Sequence, residues 1–242
     1  KDFIRIGVFG DWDHPYLTMN FGVEADIIRS LGKIVANGHL VKGYKPVYWS
    51  VVGGSALAEA EVEYQDKTSF SIDVAYALTE EDQLLKASTA FSGLPGEGTV
   101  NLLIWTTTPW TIPSSQAISV GAELVYSLVQ CESEDGPVRL ICSSVLVDSV
   151  MSRLNLTKYS ILANCSGQAL ENIITKHPIY DREIPVLLGD HVTTDAGTGC
   201  VHTAPDHGVE DFIVAGKYGI GTLNYVLDNG VFKDDVELFA GE

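Results

Sequence analysis

Val100-Asn-Leu-Leu-Ile-Trp105-Thr-Thr-Thr-Pro109-Trp-Thr-Ile-Pro113 decides how this chain is built. Its first half is a short apolar run of strand character. Its second half cannot continue as a central strand, because proline lacks the N–H that a ladder needs and fixes φ near −65°. The strand must therefore end in a rigid turn. Four threonines, bracketed by two tryptophans and two prolines, make that turn a ledge of hydroxyls and free N–H groups, suited to a sugar, a phosphate or a polarised water. Thr clusters also commonly cap their own backbone, so the ledge alone does not define a site.

Outward from this corner the chain alternates short strands with few helices. Phe70, Ile72 and Val74 alternate with polar residues, the pattern of a half-buried strand. Further strands are expected at Lys45–Ser50, Leu124–Gln130, Val138–Cys142 and Tyr159–Ala163, with 185–204 rich in strand. Both a helical turn and a strand entry fit Ala56–Glu63. Apolar residues at Phe21, Ala25, Ile28, Leu31 and Val35 mark an amphipathic helix over 21–36, with Gly38 as its stop. Thr79, followed by acids at 80–82, looks like a helix start, and Leu94–Gly98 reads as a loop. Ser143 or Ser144 can cap a helix through Leu154, and Gly208–Tyr218 reads as another. Asp228-Asn-Gly230 between apolar pairs predicts a hairpin with a type I′ turn. The expected fold is α+β, a β-barrel-like domain on a closed or nearly closed sheet over 46–242, preceded by a helical lead-in over 1–45.

Composition narrows the function. The chain has 242 residues, 45% apolar and 19% charged, which is globular rather than disordered composition. No apolar run approaches the ~18 residues of a membrane span, so no membrane contact is expected. The start at Lys1 without Met or leader reads as a piece of a longer chain. The four cysteines, Cys131, Cys142, Cys165 and Cys200, form no C-x-x-C pair and point to a reduced, cytoplasmic setting. Charge is lopsided, with a net of +1 over residues 1–50 and −18 over 51–242. Such acidity repels phosphate backbones and argues against a general nucleic-acid binder.

The second unusual segment is Asp195-Ala-Gly197-Thr-Gly199-Cys-Val-His202-Thr-Ala-Pro205-Asp-His207-Gly-Val-Glu-Asp211-Phe212. Glu210 and Asp211 fall in the first turn of the expected helix, where its dipole stabilises anions. A lasting carboxylate there suits an ammonium group. His202, His207 and Asp211 also suggest a metal, but the spacing is no zinc signature and no Cys partner is near, so none is expected. No Gly-x-Ser-x-Gly elbow supports a serine hydrolase.

Together the two segments closely resemble the signature blocks of the editing domain of bacterial-type isoleucyl-tRNA synthetase. Gly10–Met19, Lys45–Trp49 and Ser55–Tyr64 match as well, in order and from end to end. Valyl and leucyl relatives usually carry Arg-Pro and an acid where this chain has Thr108-Pro109-Trp110. The resemblance implies hydrolysis of valine wrongly attached to tRNA(Ile), without a cofactor. Asp211 would anchor the α-ammonium, and His202 would line the side-chain pocket and exclude isoleucine. Thr106, Thr107 and Thr108 would hold the terminal adenosine and ester and orient water. Trp105, Trp110, Ser115, Gly199 and Thr203 would complete the binding set. The implied partners are the tRNA(Ile) acceptor end and the rest of the synthetase, with the fragment itself a monomer.

Two features depart from the family. Ser50 and Gly53 replace a C-x-x-C, which removes a metal there, and Ser115 replaces an Asn. The second change keeps a rival reading open, a catalytically weakened acceptor-end binding or spacer module. His-Ile-Gly-His and Lys-Met-Ser-Lys-Ser are absent from the sequence, so no aminoacylation by this fragment is expected.

Overall fold

The computed structural model describes residues 1–80, 82, 84 and 96–242. The chain divides into two compact units, Lys1–Tyr44 and Lys45–Glu242. The first contains helices α1 (Asp2–Arg5) and α2 (Phe21–Ala36). Asn20 caps α2 by accepting the Gly22 N–H at 3.0 Å. Gly38, at φ +73°, follows its end as the spacing predicted. None of the residues of α2 is buried.

The second unit is built on strands β1 (Tyr48–Ser50), β2 (Ser55–Leu57), β3 (Ile72–Ala77), β4 (Val100–Thr106), β5 (Ala117–Val120), β6 (Val125–Ser133) and β7 (Gly136–Ser143). Helix α3 (Val147–Arg153) follows, then β8 (Tyr159–Ser166), β9 (Ile174–Lys176), β10 (Glu183–Leu188), β11 (Cys200–Thr203) and α4 (Val209–Lys217). β1 and β2 pair as a hairpin of their own. The rest form a five-stranded sheet in the order β3-β4-β7-β6-β8 and a four-stranded sheet in the order β11-β5-β10-β9. Both are mixed, with β4/β7 and β5/β10 parallel. An isolated bridge between Leu78 and Thr175 joins them at one edge. The α+β reading stands, with two open mixed sheets rather than a closed barrel.

The pleat explains the layers. Leu102 and Ile104 of β4 join Tyr126, Leu128, Ile118, Val120, Ile184 and Val186 in the main core, which draws on both sheets. Leu103, between them in sequence, belongs to a second core with Val129, Leu140, Val147, Val150 and Met151. Successive side chains of a strand point to opposite faces, so a continuously apolar β4 can serve both layers. α3 thus covers the outer face of the larger sheet. α4 does the same for the smaller one, through Val214 against Ala117 and Leu187.

Several local expectations are refined. Ala56–Glu63 contains both forms, the end of β2 and a 3-10 turn at Glu59–Glu61. A 3-10 turn over Ser144–Leu146 precedes α3, and neither Ser143 nor Leu146 caps through its side chain. The hairpin at 226–232 forms, but not with a type I′ turn. Gly230 alone has positive φ (+81°), its N–H returns to the Leu227 carbonyl, and the Leu227 N–H reaches the Val231 carbonyl. That is a three-residue loop with glycine in the left-handed position. The helix start at Thr79 and the loop at Leu94–Gly98 fall partly outside the described residues.

Two imidazoles are enclosed in this core. Burial lowers His177 and His202 to about 4 each, against an ordinary value near 6.5. Both are neutral when folded and take up protons on unfolding below pH ~6.5, so stability is full above that pH and is lost as pH falls towards 4. Each costs about 1.4 kcal/mol per pH unit within that window. The urea midpoint is expected to fall clearly between pH 7 and pH 5. A midpoint unchanged over that range contradicts the burial of two neutral imidazoles.

Candidate functional site

β4 stops at Thr106, and the chain turns through a 3-10 helix at Pro109–Ser114 before leaving as β5. β11 pairs antiparallel with β5, which sets His202 opposite Ile118, and α4 starts six residues after β11. The threonine ledge and the His202–Asp211 segment therefore meet at one corner. A cavity of about 250 Å³ lies between them, lined by Trp105, Thr106, Thr108, Trp110, Thr111, Val201, His202, Ala204, His207, Gly208 and Asp211. A second, of about 300 Å³, shares Trp105, Thr106 and Val201 with it and adds Thr107, His191, Thr193 and the 195–200 loop.

The hydroxyl ledge is tied together internally. Thr106 Oγ1 accepts the Thr108 N–H at 3.1 Å and lies 3.2 Å from Thr108 Oγ1. Thr111 Oγ1 donates to the Thr108 carbonyl at 2.8 Å and lies 3.1 Å from His202 Nε2. With its proton committed to Thr108, Thr111 accepts from His202, which places the imidazole proton on Nε2. His202 Nδ1 is left buried without a hydrogen-bond partner. His207 Nε2 lies 3.2 Å from Ser114 Oγ, and its ring meets Trp110 edge-on, with centroids 5.0 Å apart.

Asp211 folds back over the start of its own helix, where Oδ2 accepts the Ala204 N–H at 2.8 Å. Gly208 leaves the room, since a Cβ there would come within 3.0 Å of Asp211 Cγ. The helix start was expected to keep this carboxyl a lasting anion. Burial raises its titration, against the Ala204 N–H and His191. A bound ammonium would reverse that shift.

Of the residues singled out from sequence, Trp105, Thr106, Thr108, Trp110, His202 and Asp211 line the first cavity. Thr107 and Gly199 line the second. Gly199 sits at φ +74°, and a Cβ there would come within 2.5 Å of Ser143 Cβ, so only glycine fits this wall. Ser115 and Thr203 line neither cavity. Ser115 is buried, its hydroxyl accepting from Tyr76 at 3.2 Å, while Thr203 Oγ1 lies 2.7 Å from Ser119 Oγ. Thr203 follows His202 on β11, and the pleat turns it to the opposite face.

Thr111 and His191 are among the lining residues that were missed. Thr111 stands three residues after Thr108, one 3-10 turn on, and that spacing was a usable signal. His191 carried none, for it arrives from the loop after β10. Among the described residues, no three His, Cys, Asp or Glu side chains group as metal ligands. All four thiols are buried and pushed upward, to about 11 at Cys131 and about 12 at Cys142 and Cys165, which leaves none as an activated nucleophile.

The profile of tRNA synthetases class I (I, L, M and V) matches residues 1–218. This chain belongs to the class I tRNA synthetases. The isoleucine–tRNA ligases of Teredinibacter turnerae and Hahella chejuensis are each 61% identical to it over 242 residues, all of this chain and 25% of either protein. That of Marinomonas sp. is 60% identical over 241 residues, again 25% of its length. This synthetase segment thus spans about a quarter of the relatives it matches, and its likeness to isoleucyl-tRNA synthetase holds along its whole length. Among solved structures, GlLeuRS-CP1 superposes with a TM-score of 0.49 at 18% identity, covering 72% of this chain and 70% of that one. That likeness is too loose to carry function.

Thr111 holds this corner at two points. Thr111→Val keeps the shape but leaves the buried Nε2–H of His202 without its acceptor, at a cost of about 1–3 kcal/mol. Urea denaturation at pH 7 is expected to show that loss. An unchanged midpoint would mean that His202 finds another partner.

Proposed function

We propose that this chain is the editing domain of an isoleucyl-tRNA synthetase, which hydrolyses valyl-tRNA(Ile) and excludes isoleucyl-tRNA(Ile). One observation carries the reading. A largely buried carboxyl, Asp211, stands across a cavity of about 250 Å³ from a ledge of threonine hydroxyls, with a neutral histidine fixed in its wall. One methylene gives a synthesis site only modest discrimination, and isoleucine selection against valine is itself the standard example of this limit. A second, smaller sieve corrects it.

An aminoacyl ester is already activated, so positioning and electrostatics suffice without a covalent nucleophile. Asp211 binds the α-ammonium. Thr106, Thr107 and Thr108 hold the terminal ribose and the ester and orient a water. The water oxygen bonds to the ester carbonyl carbon, whose C=O pair moves onto oxygen. Collapse then breaks the bond to the ribose oxygen, which takes up a proton and leaves valine and free tRNA. Trp105 and Trp110 give flat apolar surface beside the ester. The Thr111 bond keeps the His202 ring from swinging away, so the extra methylene of isoleucine meets a wall that does not yield.

Ser115, the one sequence feature favouring a weakened binding or spacer module, is buried off both cavities, which favours the working hydrolase. Gly199 shapes the second compartment, whereas Thr203 supports it from behind. The acceptor end of tRNA(Ile) and the remainder of the synthetase are the proposed partners, in the cytoplasm. With a net charge of −17, the segment alone binds tRNA weakly and in a salt-sensitive way. Among the described residues, no helix is long and apolar enough to cross a membrane.

Calorimetric titration of this chain with non-hydrolysable valyl- and isoleucyl-adenosine analogues tests the reading without relying on tRNA affinity. The valyl analogue is expected to bind and the isoleucyl analogue to be excluded. Asp211→Ala should abolish valyl binding while the circular dichroism spectrum is unchanged. Equal affinity in that variant would sink the assignment.

A further inference from the structure

Asp211 has two carboxylate oxygens, and the hydrogen bonds account for one. Oδ2 is held by the Ala204 N–H. Oδ1 faces His191 Nε2 at 4.0 Å, beyond hydrogen-bond reach, with the two side chains only 17% and 18% exposed. His191 Nε2 is itself buried and has no hydrogen-bond partner. A buried polar atom without a partner is costly, and here one stands beside an oxygen with spare capacity. The ring packs against Gly189. A Cβ on Gly189 would come within 2.7 Å of His191 Cε1 and 2.9 Å of Nδ1. His191 lines the second cavity and Asp211 the first, so the pair reaches from one compartment to the other.

We propose that His191 is a positioning residue for Asp211, its Nε2–H closing on Oδ1 to hold the carboxylate as an anion aimed at the α-ammonium of the bound aminoacyl group. This inference rests on the editing reading, and it adds to it the means by which a largely buried carboxyl stays ready for a cation. The groups facing Asp211 are few. Glu210, on its own helix, and burial favour the protonated form, whereas the Ala204 N–H and His191 favour the ionised one. His202 and His207 share the cavity, and burial lowers both, which keeps them from supplying positive charge. Without His191, a single backbone N–H would oppose burial.

The sign of the effect is then determined. Binding of an ammonium needs the carboxylate, so raising the acid's titration moves the loss of affinity to higher pH. The test titrates the valyl-adenosine analogue into this chain, into His191→Phe and into His191→Gln from pH 5 to pH 8. Circular dichroism at each pH verifies the fold. The unsubstituted chain should bind with nearly constant affinity down to about pH 6. His191→Phe should match it at pH 8 and fall about threefold behind at pH 5.5 and about fivefold at pH 5, its midpoint displaced upward by about one pH unit. His191→Gln keeps an N–H donor and should recover most of that loss.

A His191→Phe curve parallel to that of the unsubstituted chain at every pH would mean that His191 only packs, and would overturn the proposal. Equal affinity of all three proteins would do the same. If the unsubstituted chain binds neither analogue, the editing reading itself fails, and this role of His191 falls with it.

Discussion

Proline at 109 and 113 prevents β4 from running on, and most of the architecture follows from that stop. β4 lies in the five-stranded sheet and β5 in the four-stranded one, so the chain must change sheets across Pro109–Ser114. A tight 3-10 turn makes the change, with the Thr111 N–H and hydroxyl both returning to the Thr108 carbonyl. Because β11 pairs with β5, whatever follows β11 is delivered to the same corner. The cavities lie where one sheet hands the chain to the other.

That corner works against the stability of the molecule. A carboxyl raised by burial, an imidazole held near 4 and buried nitrogens of His191 and His202 without partners are each unfavourable in a protein interior. The rest of the fold offsets them. Arg153 of α3 makes a two-pronged bond to Asp73 of β3, at 2.6 and 2.8 Å, and reaches the Gly197 carbonyl. Tyr126, fully buried, donates to the Gly199 carbonyl at 2.6 Å while accepting the Gly121 N–H. The Ser143 N–H holds the Thr198 carbonyl at 2.8 Å. The Gly197–Gly199 wall is thus pinned from a helix and two strands.

Much of this was legible beforehand. The helix over 21–36 and the end of β4 rest on periodicity and proline chemistry, which act within a few residues. The same reach explains the errors. The Asn229-Gly230 pair signalled a hairpin, but the three-residue loop that forms depends on how Val226 and Phe232 pair, which no dipeptide specifies. The helix start at Asp211 suggested a stabilised anion, because the dipole is a local effect, whereas the burial that raises this carboxyl comes from packing between segments. Thr203 sits inside a recognised motif and Ser115 two residues after one, yet neither lines a cavity, since a motif marks a segment and the backbone decides which way a side chain faces.

The sequence by itself determined which segments are unusual, where the strand must stop, and through its motifs the class I synthetase family. Those are properties of short stretches, governed by backbone geometry and side-chain type. Only the tertiary structure decided that Thr111 orients His202 across 91 residues, that His191 faces Asp211, and that burial raises the Asp211 carboxyl. Each of these depends on distances between segments and on the water their packing removes, and neither is written in local order.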